Sequence, residues 1–268
     1  MPSYICTTCG IGYAETDAPR DTCLICADDR QYINARGQSW TTLEQLQAAH
    51  ANELRELEPG LTGLGSKPQI AIGQRALIIE RPAGGVMWDC TPLITDTALE
   101  AIAKKGGVAA IAISHPHFYA TMVDWSRALG GVPIYLHETN RDWVMRPDPA
   151  IEFWSGDTRE IAAGITLVRT GGHFPGSSLL HWADGAEGRG VLMTGDTIMV
   201  VPDTRWVSFM YSFPNLIPLN ARAVETIVKS VRSFSFDRIY AGWWDRALDG
   251  DAKAALRRSA ERYIEAIR

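Results

Sequence analysis

Residues 108–120, Val108-Ala109-Ala110-Ile111-Ala112-Ile113-Ser114-His115-Pro116-His117-Phe118-Tyr119-Ala120, decide the reading of this chain. The first six are small or β-branched apolar residues without polar alternation, the pattern of a strand buried on both faces. Two imidazoles follow directly, and the proline between them fixes its own φ near about −65° and so stiffens their separation. A rigid strand that delivers His115 and His117 into a loop is a sound way to hold ligands in place. Two further loops at strand ends carry donors of the same kind. His173 lies in Gly171-Gly172-His173-Phe174-Pro175-Gly176-Ser177, and Asp196 in Thr194-Gly195-Asp196-Thr197. Three neutral imidazoles and one carboxylate make a reasonable donor set for a divalent metal.

From residue 69 onward, short β runs come first and then β runs alternate with helices. Strands are expected at 70–72, 76–80, 86–89, 108–113, 132–136, 151–154, 165–169, 177–182, 190–194 and 238–241. Helices are expected from Thr97 to Gly106-Gly107, over 121–129, from an Asn220 cap to about Phe234, and over 251–267. The fold class is therefore α/β, a layered sandwich of sheets covered by helices.

These residues resemble the metallo-β-lactamase superfamily. Ser114-His115-Pro116-His117, Gly172-His173-Phe174-Pro175-Gly176-Ser177 and Thr194-Gly195-Asp196-Thr197, in that order and preceded by Asp89 in Met87-Trp88-Asp89-Cys90, carry the likeness over roughly residues 69–245. The resemblance implies an αββα sandwich with the metal at one edge of the sheets. It implies that His115, His117 and His173 hold a first ion, that Asp196 sits at or between metal positions, and that Asp89 orders the metal loops from behind. The substrates it implies are varied: thioesters, lactones, β-lactams and phosphodiesters, with some redox chemistry.

The departures bear on mechanism. Two-metal relatives carry His-x-His-x-Asp-His, and here Tyr119 stands in place of the Asp and Ala120 in place of the last His. A further His is expected near the C-terminus, where Ile239-Tyr240-Ala241-Gly242-Trp243-Trp244 offers Trp243, whose indole cannot ligate. A mononuclear site is the expectation. One such ion can polarise a carbonyl and lower the pKa of its water toward ~7. Asp196 is then a fourth ligand or the base, and Tyr119, with an ordinary pKa near ~10, is a donor to a developing oxyanion. Two alternatives stand beside this hydrolase: a mononuclear non-haem iron enzyme of the sulfur dioxygenase kind, using Fe2+, and a non-catalytic metal-binding protein.

Four of the five cysteines, Cys6, Cys9, Cys23 and Cys26, form two Cys-x2-Cys pairs in the first 26 residues. That spacing lets two tight knuckles present four thiolates to one tetrahedral ion, as in zinc ribbons. Zn2+ is the default; the run Tyr4 to Gly10 also resembles the first knuckle of rubredoxins, which leaves a single iron open. Cys90 stands apart and reads as a small buried hydrophobe. After the knuckles, Thr41 and Glu44 read as a capping box, and Leu43, Leu46, Leu54 and Leu57 recur at roughly helical spacing up to Pro59-Gly60. The expected organisation is thus a four-cysteine module over 1–40, a helix and linker over 41–68, and a metallo-β-lactamase-like domain over 69–268.

The loop 198–219, directly after Asp196, is rich in aromatic residues and prolines, which either wall a substrate pocket or simply pack the second sheet. Arg205 is placed there for an anionic group, with Trp206, Tyr211 and Trp243 as lining. The composition bounds the rest. Of 268 residues, 46% are hydrophobic and 21% charged, and 26 basic against 31 acidic side chains give a net charge of −5. That is ordinary globular composition. The absence of any basic run argues against nucleic acid as the main partner and leaves a small-molecule substrate. No apolar stretch approaches the roughly 20 residues a membrane helix needs, and the N-terminus lacks a secretory pattern, so a cytoplasmic protein is expected. Nothing in the sequence fixes the oligomeric state.

Overall fold

The computed structural model describes residues 1–268. The chain divides into two compact units, Met1–Leu136 with Arg141–Phe153, and His137–Asn140 with Trp154–Arg268.

The first unit begins with the cysteine knuckles, where β1 (Ile5–Cys6) pairs antiparallel with β2 (Trp40–Thr41). Helix α1 (Leu43–Ala49) follows, with Thr42 as its cap and a reciprocal capping box through Gln45, one residue later than the expected Thr41 and Glu44. A seven-stranded sheet then forms in chain order from β3 (Ala51–Glu58), β4 (Leu61–Lys67), β5 (Ala76–Ile79), β6 (Gly85–Trp88), β7 (Val108–Ala112), β8 (Ile134–His137) and β9 (Ile151–Trp154). Strands β3 to β6 are an antiparallel meander, whereas β6–β7 and β7–β8 are parallel. Parallel neighbours need crossovers; α2 (Asp96–Lys104), capped by Thr95, and α3 (Met122–Ala128) supply them. The knuckles are tied to this unit by Arg146, whose guanidinium reaches Asp124 at 2.7 Å, Ser3 Oγ at 3.3 Å and Glu15 at 3.5 Å.

One expectation is overturned here. Residues 41–68 are not a helix and linker: the helix stops at Ala49, and 51–67 form the hairpin β3–β4 that opens the sheet, in register from Ala51↔Lys67 to Glu58↔Leu61. Leu54 and Leu57 are three residues apart, which a helix accommodates as readily as a half-buried strand with a bulge between Glu56 and Glu58. The glycines of β4, read as a linker, lie in a strand buried at six of its seven positions. Pro59-Gly60 is the hairpin turn, with Gly60 at φ 81°. Residues 70–72 are likewise a turn and not a strand, with Ala71 at φ 54°.

The second unit holds a six-stranded sheet. In chain order the elements are β10 (Thr158–Ala162), β11 (Ile165–Arg169), β12 (Ser178–Trp182), the single distorted turn α4 (Gly185–Gly188), β13 (Val191–Met193), the two small hairpins β14 (Met199–Val200) with β15 (Val207–Ser208) and β16 (Met210–Ser212) with β17 (Ile217–Pro218), α5 (Ala221–Ser230), β18 (Arg238–Tyr240), β19 (Ala247–Leu248) and α6 (Ala252–Ala266). The sheet order is β10-β11-β12-β13-β18-β19, and only β13–β18 is parallel. Its core joins Leu179, Leu192 and Ile239 of the sheet to Val224 and Ile227 of α5 and to Ala255 and Leu256 of α6. Loop 198–219 is thus two hairpins, with Phe209 fully buried in this core. No helix is long and apolar enough to cross a membrane.

Candidate metal centres

The four knuckle cysteines are buried and unbridged, and their Sγ atoms converge within 4.8 Å of one another. Cys6 and Cys26 lie 3.7 Å apart and Cys9 and Cys23 3.6 Å. A tetrahedron with metal–sulfur bonds of about 2.3 Å has edges of about 3.8 Å, so the four donors fit one ion. Backbone bonds shape the first knuckle: Gly10 N donates to Cys6 O at 2.8 Å and Cys6 N to Ile11 O at 3.0 Å. Gln38 Nε2 donates to Cys6 Sγ at 3.2 Å and Tyr13 hydroxyl to Cys23 Sγ at 3.4 Å. Donors aimed at sulfur stabilise thiolate over thiol. Contacts with Cys23, Cys26 and Cys9 lower the Cys6 pKa, while burial pushes Cys9 up. Sequence reading found the cysteines but not Gln38 or Tyr13, because those two reach sulfur only through the folded knuckle.

In the first unit, His115 sits at the end of β7 and opens a short 3-10 turn, Pro116–Phe118, with Pro116 at its first position. His115 and His117 are 0% and 2% exposed, with ring centroids 5.1 Å apart. Asp89, at φ 62°, follows β6 and accepts from the amide and hydroxyl of Ser114. Ser114 Oγ is also 2.9 Å from His115 Nδ1. A carboxylate only accepts, so the hydroxyl proton goes to Asp89, and Oγ must then accept from Nδ1–H. That fixes the tautomer, with the proton on Nδ1 and the lone pair on Nε2 of His115. Asp89 is thus linked to His115 through the hydroxyl of Ser114. Cys90 is fully buried and burial pushes its thiol well up, as befits packing and not nucleophilic chemistry.

In the second unit, His173 follows β11 and Asp196 follows β13. His173 Nε2 lies 3.6 Å from Asp196 Oδ2, and both side chains are almost fully buried. His173 Nδ1 faces Met210 O at 3.2 Å, where it can only donate, so in the neutral ring the lone pair is on Nε2, the nitrogen that faces Asp196. The loop is closed by Ser177 Oγ, which accepts from Phe174 N at 2.8 Å. Met210 is a backbone partner that no side-chain pattern could announce. His137 and His181 bond Gly156 O at 3.1 Å and Ser235 O at 2.7 Å, and are satisfied structural histidines.

The expected pocket residues fare unevenly. Arg205 is exposed and chelated by Asp203 at 2.8 and 2.7 Å, which occupies the charge assigned to a substrate anion. Trp206 is covered by the guanidinium of Arg262, 3.8 Å from its ring, and packs on α6. Tyr211 lies against the core of the second unit, and Trp243 is half-buried after β18. Phe213 of this loop does reach a candidate ligand, with its ring 6.2 Å from His173. Hairpin pairing turns alternate residues of this loop to opposite faces.

The chain has the metallo-β-lactamase fold. It is similar to the DIM-1 metallo-β-lactamase at a TM-score of 0.59 and 13% identity, covering 81% of this chain and 98% of that one. A similar likeness joins it to the metallo-β-lactamase FIM-1 from Pseudomonas aeruginosa in its mono-zinc form, at 0.57 and 16%, covering 79% and 95%. No family model matches the chain. It belongs to the family of the uncharacterized protein YmaE of Bacillus subtilis (strain 168), to which it is 46% identical over 269 residues, covering 100% of this chain and 97% of that one.

Proposed function

We propose that this protein is a metal-dependent hydrolase in which His115, His117, His173 and Asp196 hold a single ion, zinc in the first instance, and that it acts on a small ester-, thioester- or lactone-like substrate. The observation that carries the reading is the composition of the His turn. Tyr119 and Ala120, at 2% and 3% exposure, fill the two places where a second ion would find an Asp and a His, and neither is a metal donor of that kind. Trp243 supplies none at the third place. The mono-zinc form described for FIM-1 is a precedent for one ion in this fold.

When bound, the ion supplies Lewis acidity and brings the pKa of its water toward ~7. The chain's own part is orientation and proton transfer. Ser114 and Met210 O hold His115 and His173 by Nδ1, which puts the lone pair of each neutral ring on Nε2. Asp196 completes the donor set or takes the proton from the attacking water, and Tyr119 offers a phenol donor to charge that develops on the substrate oxygen. The four cysteines hold a second, structural zinc.

The test is metal content of protein purified without added metal, for the native chain and the variants Cys9→Ala and His115→Ala. Two ions per chain are expected, one lost in each variant. Turnover is then sought on thioester, lactone and phosphodiester panels. A fully loaded protein inert on all three overturns the hydrolase, and iron at the His site favours the oxygenase alternative.

A further inference from the structure

The first cysteine knuckle does more than hold sulfur. Its hairpin, closed by the Gly10–Cys6 and Cys6–Ile11 backbone bonds, ends at Gly12, whose N–H donates to the carbonyl of Ala120 at 2.9 Å. Ala120 lies two residues past the Pro116–Phe118 turn that His115 opens and that carries His117, and it sits at φ 43°, in the left-handed region that a residue with a Cβ enters only when its surroundings impose it. The seam is tight. A Cβ on Gly10 would come within 2.5 Å of Pro92 Cγ, and one on Gly12 within 3.4 Å of Ala120 O. The void lined by Ile11, Gly12, Tyr119 and Ala120 measures only about 10 Å³, room for one water at most. On its other side the turn is held by Cys90 N donating to Phe118 O at 3.3 Å and by Thr121 Oγ1 donating to Thr91 O at 3.1 Å.

A turn with donors at positions 119 and 120 would be pinned by its own ion. This one has Tyr119 and Ala120, and it is pinned from outside by a backbone whose shape is set by Cys6 and Cys9. We propose that the four-cysteine ion positions the His115–His117 pair through the Gly12–Ala120 contact, so that the thiolate site and the His site are energetically coupled. The inference rests on the reading of His115 and His117 as metal ligands given above. By linkage the coupling is reciprocal: each ion tightens the other by one and the same factor.

The experiment is a competition titration of the full chain with a chromophoric chelator, with cobalt absorption as the second readout of ligand geometry. In Cys9→Ser, affinity at the His site is expected to fall at least tenfold with a changed cobalt spectrum. Ala120→Gly, which makes the left-handed conformation cheap, is expected to recover most of that loss in the same background while leaving the native background within twofold. His115→Ala is expected to weaken the cysteine site by the same factor. Should Cys9→Ser not fold, Tyr13→Phe weakens the thiolate site without removing a ligand, and a smaller fall in the same direction is expected. His-site affinity within twofold of native in both knuckle variants, or a loss that Ala120→Gly does not relieve, overturns the coupling. A His115→Ala variant that retains both ions overturns instead the assignment of the His site, leaving the two failures distinct.

Discussion

Asp89 binds Ser114 twice through one oxygen, accepting from its amide at 2.8 Å and from its hydroxyl at 2.7 Å. Because the hydroxyl has a single proton, this pair dictates which nitrogen of His115 is protonated. Asp89→Asn keeps the shape and tolerates the positive φ, but its amide no longer demands the Ser114 proton. The expected outcome is a 10- to 100-fold loss of metal affinity at the His site, on the order seen for such supporting groups, measured by chelator competition. Unchanged affinity would remove Asp89 from the metal centre.

The sulfur cluster is expected to contribute folding free energy through its ion. Stripping it with a strong chelator should lower the midpoint of thermal unfolding and expose Tyr13 and Trp40, whose rings meet edge-on at 5.1 Å. Gln38→Leu removes the donor to Cys6 and is expected to speed zinc release several-fold at neutral pH. Release kinetics equal to those of the native chain would show that this hydrogen bond does not matter.

Buried His181 gives a pH prediction. Burial lowers its pKa below the ordinary value of 6.5, although Ser235 O opposes this. The unfolded chain therefore takes up the proton first, and the stability held above about pH 6.5 is lost as the pH falls toward the folded value. His181→Gln, which retains a donor for Ser235 O, should flatten the decline in unfolding temperature between about pH 7 and pH 5 relative to the native chain. An unaltered pH profile would contradict the assignment.

Arg205 was a natural candidate for substrate binding on sequence grounds, and its bidentate pair with Asp203 argues otherwise. Arg205→Ala is expected to change turnover by less than twofold on any substrate found, whereas Phe213→Ala, beside His173, is expected to raise KM. Steady-state kinetics on both variants decides between them.

Both candidate donor sets were legible before any fold was known, because a donor group is a property of residue type and spacing. Cys6, Cys9, Cys23 and Cys26 needed only their pairing, and His115-Pro116-His117 needed only the apolar strand before it. The hairpin β3–β4 was not legible: Leu54 and Leu57 satisfy two periodicities, and the partner strand that selects one of them lies beyond the turn at Pro59-Gly60. Strand β10 was missed for the same reason, since Thr158–Ala162 is mostly exposed or half-buried and pairs only by virtue of β11. Tertiary hydrogen bonding, not local propensity, settles such segments.

The sequence by itself determined the two candidate donor sets and the α/β class, because each follows from which side chains are present and in what order. Only the tertiary structure decided how the donors are oriented. The tautomers of His115 and His173 depend on Ser114 Oγ and Met210 O, and the left-handed Ala120 depends on an N–H from Gly12, 108 positions away in the chain. Hydrogen bonds of that range are fixed by the path of the whole backbone, and no local pattern of residues encodes them.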